Sequence, residues 1–222
     1  MNESPYLMKI KGVLAAISCL ILSASLPAFN MQTEQGTLSI YFMNEQVGYE
    51  EFEWRHTGRG YELEVSGRMT KPIPIRIDQM IIQLNESYIP TGFSFEGTIS
   101  GMKQKVKSVI SDGHVENVIH ISGQEQTSSA DIRRDAFLLP NPVFSAYMAI
   151  TKKFRCSLKE EKQLSAYYIP QVEVPFLLNA DENNSCLLLM DISSSVIELA
   201  TNPDGDLLEV NIPGQNLVAR LD

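Results

Sequence analysis

From Gly36 onward, apolar and polar residues alternate one for one, and turn residues break the alternation roughly every ten positions. Leu38, Ile40 and Phe42 fall on one face, and Asn44-Glu45 begins a turn. The return segment from Gly48 to His56 sets Phe52 and Trp54 against Glu51, Glu53 and Arg55. After Gly58-Arg59-Gly60, Tyr61, Leu63 and Val65 alternate with Glu62, Glu64 and Ser66. Segments of this kind are half-buried strands with one wet face. Pro72 and Pro74 punctuate the run of Ile73, Ile75 and Ile77, and because proline donates nothing to a ladder they predict an edge or an irregular crossing. Ile81 to Leu84 is a further strand, and Phe93 and Phe95 alternate after the break at 88–92. Lys103, Lys105 and Lys107 share one strand face, which reads as a solvated face or an edge guard in preference to a grip on an anionic head group. Asp112-Gly113 signals a turn before Val115, Ile119 and Ile121, and 124–129 is polar and loop-like.

One segment has a different period. In 141–155, Val143, Tyr147, Ile150 and Phe154 follow helical spacing, and Phe144 with Met148 widens the stripe. Asn141 is placed as N-cap and Pro142 at the first helical position. Lys152, Lys153 and Arg155 gather where cations favour the dipole. The spacing predicts a helix over 142–155, apolar on most sides. Strands then resume at Leu164–Ile169, Val172–Leu178, Cys186–Met190, Ser195–Ala200, Leu207–Ile212 and Leu217–Arg220. The unbroken apolar run at 186–190 predicts burial on both faces, and Asn202-Pro203-Asp204-Gly205 predicts a hairpin turn. The expected fold is mainly β, a single curved antiparallel sheet of about a dozen strands forming an unclosed half-barrel around one central helix, in one domain over 31–222.

The start of the chain changes the compartment. Lys9 and Lys11 precede an apolar run from Gly12 to Leu22, and small residues follow at Ser23-Ala24-Ser25 and Ala28. That pattern is a signal peptide over 1–28, cleaved after Ser25 or Ala28, and its apolar run is shorter than the roughly twenty residues a membrane span requires. Acylation at Cys19 is disfavoured, because Leu20-Ile21-Leu22 prolongs the apolar run. The expectation is an exported protein, periplasmic or secreted, with no transmembrane segment after processing. In an oxidising compartment Cys156 and Cys186 are expected to form a disulfide. The formal charge of −9, with no Lys or Arg between Lys162 and Arg220, argues against nucleic acid as a partner.

Chemistry is sparse. His114 and His120 on one strand face stand about 20 Å apart, too far for one metal, and His56 brings no ligand spacing with it. Glu50, Glu51 and Glu53 do not form an acid/base pair, since neighbours on a strand face opposite ways and Glu51 and Glu53 lie on the wet side with Arg55. Asp204-Gly205-Asp206 suits a hairpin better than a calcium loop. Asn85-Glu86-Ser87 and Asn183-Asn184-Ser185 match the glycosylation triplet, which matters only in a eukaryotic secretory pathway. No nucleophile elbow, zinc-protease, phosphate-loop or dinucleotide motif is present, so no enzyme, cofactor or metal is expected.

Two segments carry a resemblance. The run from Gly36 to Phe52, a strand ending in a short polar turn followed by Val47-Gly48 and a charged strand, resembles the opening hairpin of uncharacterised exported bacterial domains. The run from Pro203 to Pro213 resembles their closing hairpin. With the central helix, the order is similar to the LolA/LolB-like group of periplasmic lipoprotein carriers. That resemblance implies an unclosed barrel lining a hydrophobic cavity under helical elements, although several helices cover the cavity there and one is legible here. The expected function is therefore non-enzymatic binding or carriage of a lipid, acyl chain or lipidated partner. Its lining residues would be Trp54, Phe93, Phe95, Phe144, Tyr147, Met148 and Phe154. The alternative is a structural or protein-interaction domain of the cell envelope with a filled core and no small ligand. The helix is a lid in the first reading and a plug in the second.

Overall fold

The computed structural model describes residues 33–170 and 172–222. The segment expected to be a signal peptide, with Cys19, lies outside the described residues. Fifteen strands form one sheet: β1 (Thr33–Phe42), β2 (Glu45–His56), β3 (Gly60–Met69), β4 (Ile75–Asn85), β5 (Pro90–Ile99), β6 (Met102–Ser111), β7 (His114–Ile121), β8 (Gln124–Asp131), β9 (Phe137–Leu138), β10 (Lys162–Tyr168), β11 (Val172–Ala180), β12 (Leu187–Ile192), β13 (Ser195–Thr201), β14 (Leu207–Ile212) and β15 (Leu217–Leu221). Their order across the sheet is β8-β7-β6-β5-β4-β3-β2-β1-β15-β14-β13-β12-β11-β10-β9. The first and last strands therefore pair in the middle, from Leu38 opposite Leu221 to Phe42 opposite Leu217. Each half is a meander in which sequence neighbours are spatial neighbours, and the short parallel pair of β9 with β10 is the exception to antiparallel pairing.

Between the halves the chain crosses the concave side once. A 3-10 turn at Ser145–Tyr147 runs into α1 (Met148–Phe154) and a second 3-10 turn at Arg155–Ser157. The sheet curls around this segment. Register shifts between Val65 and Gly67, between Ile77 and Gln79, and between Ala200 and Thr201 supply local bends of the kind that β-bulges produce. Inward positions of both halves merge into one apolar core, including Leu38, Leu63, Met80, Phe95, Leu178, Met190 and Val210.

The half-barrel around one helix is as expected, and several details differ. Among the described residues there are fifteen strands, because 124–129 belongs to the polar edge strand β8 and Phe137–Leu138 adds a two-residue strand. β8 was unreadable by periodicity because it has no apolar stripe. The lysine row lies on β6, which is inside the sheet, so it is a solvated face and not an edge guard. β12 buries Leu188 and Met190 while Leu187 and Leu189 are half-buried, so its apolar run alternates after all. Pro72 and Pro74 sit in the connection between β3 and β4.

Candidate functional site

The helical segment starts three residues later than Pro142, and it is not capped by Asn141. Phe144 occupies the N-cap position and makes no side-chain cap bond. The cap comes from Glu50 on β2. Its carboxylate accepts the Phe144 N–H at 2.9 Å (Oε1) and 3.1 Å (Oε2), and the Ser145 N–H at 2.8 Å (Oε2). Glu50 is 1% exposed and shares the inward parity of Phe52 and Trp54. Gly67 lies directly opposite on β3, where a Cβ would come within 2.9 Å of the Glu50 Cα. Burial pushes the Glu50 carboxyl up from its ordinary value, while the bonds from the Ser145 and Phe144 backbone pull the other way without prevailing. The buried Ser145 hydroxyl has no partner of hydrogen-bond geometry. Burial likewise raises the Tyr147 phenol far above its usual range, with smaller contributions from Tyr168 and Glu50.

Two further ties hold the segment. The Lys152 ammonium, largely withdrawn from solvent, pairs with Glu34 of β1 at 2.5 Å and with Asp206 of the β13–β14 turn. Burial opposes ionisation of Asp206, but hydrogen bonds from Lys152 and Asn202 outweigh it and leave that carboxyl below its usual value. Gly205 in this turn has φ +87°, and a Cβ there would fall 2.8 Å from the Thr151 carbonyl oxygen, so the turn lies directly on the helix. Beyond the helix end, Cys156 is disulfide-bonded to Cys186, just before β12. The pairing expected from the sequence is present.

The seven residues named as candidate lining all meet the interior. Trp54, Phe93, Phe95, Phe144, Tyr147 and Met148 belong to the buried core, and Phe154 packs against it half-buried. Met148 and Ile150 expose none of their surface, either to bulk water or to an internal void. The void recorded against Phe144 and Tyr147 measures about 10 Å³, close to the minimum for a single water. Larger clefts lie on the outside. One of about 640 Å³ is lined by Thr37, Glu51, Glu53, Glu64 and Asp78 among others, and one of about 490 Å³ by Tyr41, Met43, Asn211 and Arg220 among others. A third, of about 270 Å³, lies at the rim near Ile110, Ile132 and Arg134. None of the seven residues lines these three.

Trp54 sits 5.5 Å from Tyr61 and 6.2 Å from Tyr88, and the two tyrosine rings stack at 4.7 Å. The Tyr61 phenol is pushed up to about 12, first by its hydrogen bond with Tyr88 and then by burial. His114 and His120 pair with Asp131 at 2.7 Å and with Glu125 at 3.4 Å, and no cluster among the described residues has the make-up of a metal site.

Two polar features were missed in the sequence. Glu50 is one. The other joins the two ends of the sheet: Ser108 Oγ donates to Asn117 Oδ1 at 2.6 Å, and Asn117 Nδ2 donates to Ser128 Oγ and to Tyr167 Oη, each at 3.2 Å. Both had a signal. Glu50, Ser108 and Asn117 all hold inward parity between apolar neighbours, and a polar side chain there must find a buried partner.

No protein-family model matches the chain, and no curated protein matches it. Among solved structures it is similar to the crystal structure of a DUF1089 family protein from Pseudomonas aeruginosa, with a TM-score of 0.53 and 10% sequence identity. The match covers 77% of this chain and 91% of that one. At that identity the likeness concerns the fold alone. Among the described residues, no helix is long and apolar enough to cross a membrane.

Proposed function

We propose that this protein is an exported, non-catalytic domain of the cell envelope with a structural or protein-interaction role, its half-barrel closed by its own helix as a plug. The observation that carries this reading is the packing of Met148 and Ile150, which expose no surface on the side where a carrier would keep its ligand space. Ligand pockets run from about 300 to 1,000 Å³ and are largely formed before binding. The void against Phe144 and Tyr147, about 10 Å³, falls far short of that. A lipid or acyl chain would have to displace the helical segment and release the Glu50 and Lys152 ties with it. Export is supported by the charge pattern at the start of the chain and by the Cys156–Cys186 bond, which suits an oxidising compartment.

The test is native mass spectrometry of protein purified without detergent and incubated with vesicles of phosphatidylethanolamine and phosphatidylglycerol. The expected spectrum contains the polypeptide mass alone. A stoichiometric lipid adduct that survives desolvation would return the protein to the carrier reading.

A further inference from the structure

We propose that the rim cleft around Arg134 binds the free carboxy terminus of a partner polypeptide that ends in an aliphatic residue. The proposal rests on the protein-interaction reading above and names the chemistry of the partner. The cleft measures about 270 Å³, close to the lower end of ligand pockets at about 300 Å³. That is room for the end of a peptide and not for a two-chain lipid. It forms where the β4–β5 turn, the β6–β7 turn and the segment 132–136 between β8 and β9 come together.

The walls are fixed before any ligand arrives. In the β4–β5 turn the Asn85 side-chain oxygen accepts the N–H groups of Ser87 and Ile89, at 2.9 and 3.0 Å. The Ile132 N–H donates to the Gly113 carbonyl at 2.7 Å. Gly113 has φ +83°, and a Cβ there would lie 2.7 Å from the Ile132 carbonyl oxygen, so segment 132–136 rests directly on the β6–β7 turn. Walls held in this way spare a ligand the entropy of ordering them.

Two arginines line the cleft, and their charges are used differently. The Arg133 guanidinium is spent on Asp135, through Nε and Nη2 at 3.0 Å each, and the Arg133 backbone N–H is spent on Glu173. Among the described residues the Arg134 guanidinium has no acid and no hydrogen-bond partner. Its stem lies over the β6–β7 turn, where a Cβ on Gly113 would meet Arg134 Cγ at 3.2 Å, yet it does not pair with Asp112 of the same turn. A guanidinium presents its donors as a planar fork that matches a carboxylate. Ile89, Ile110 and Ile132 supply apolar walls against which a terminal aliphatic side chain loses its water. Thr91, Ser111 and Asp112 add polar oxygens that suit peptide amides and have no use for a hydrocarbon tail, which favours a polypeptide end over a free fatty acid. Asp112 repels a carboxylate and attracts an N–H, so it fixes the orientation: the terminal carboxylate goes to Arg134.

The test is to pan a library of random peptides displayed with free carboxy termini on the intact folded protein, and to titrate the selected peptides calorimetrically. The selected peptides should share an aliphatic last residue. Amidating their carboxy terminus, or substituting Arg134→Gln, should weaken binding about ten- to hundredfold, the scale of a lost hydrogen bond to a charged group. Arg134→Lys should restore part of it. Arg134 is exposed, so the Tm of both variants should stay that of the wild type. Selected peptides with no common last residue, amides that bind as tightly as acids, or unchanged binding by Arg134→Gln would overturn the proposal. So would Arg134-dependent binding of octanoate with no peptide selected, which would assign the cleft to a small carboxylate. Lipid adducts read the plug and this titration reads the rim, so either reading can fail alone.

Discussion

Glu50→Ala should lower the stability of the folded state by about 2–6 kcal/mol, the cost of leaving two buried backbone donors without an acceptor. The carboxylate occupies a closed space and satisfies the Phe144 and Ser145 N–H groups, which have no helical partner of their own. Truncation leaves both donors buried and opens a cavity beside the helix start, and each orphaned donor costs about 1–3 kcal/mol. Glu50→Gln keeps the volume and one acceptor oxygen, so its loss should be smaller. The pH dependence then separates the two. Burial raises the Glu50 carboxyl above its unfolded value, so its protonated form favours the folded state. That contribution is fully present below the unfolded value and is lost as pH rises through the folded one. The advantage of wild type over Glu50→Gln should therefore shrink between pH 5 and pH 8. Urea unfolding of wild type and both variants at the two pH values measures it. An advantage that grows with pH would mean that Glu50 acts as a favourable buried charge.

Breaking the disulfide should produce the other large effect. Cys156 and Cys186 close a loop with a sequence separation of 30, which on the chain-entropy model stabilises the fold by about 3.5 kcal/mol. For a domain of this size that corresponds to a fall of about 10 °C in Tm. Scanning calorimetry of the wild type with and without reductant, alongside the double Cys156→Ser/Cys186→Ser variant, checks it. The two reduced forms should agree. An unchanged Tm would show that the Lys152 ties hold the helix end without the covalent link.

The fold was legible because most strands bury one face, and burying one face writes itself as alternation. Leu38, Ile40 and Phe52 announce β1 and β2 in this way, and turn residues mark the ends. β8 carries no apolar stripe, so nothing in Gln124–Asp131 distinguished an edge strand from a loop. The helix was legible as an element and misplaced at its start for a physical reason. Asn141 and Pro142 are good local signals for a helix N-terminus, but the cap comes from Glu50, 94 positions earlier in the chain. No local rule sees a tertiary cap. The parity of Glu50 with Phe52 and Trp54 did show that it faces inward, and a buried acid at that place was the available sign of a partner. The seven aromatic and sulfur side chains proposed as lining were legible as interior residues. Whether an interior is full or hollow depends on how closely the two halves approach, and alternation is silent on that.

The central claim is that the helical segment plugs the half-barrel, and native-state hydrogen exchange of Ile150 and Thr151 tests it most directly. Both residues are buried and expose no surface. A plug leaves only when the whole domain unfolds, so their amides should exchange with the free energy of global unfolding and match the slowest amides of β12 and β14. Exchange of Ile150 and Thr151 through a local opening well below that free energy, with β12 and β14 still protected, would show a lid and contradict the account.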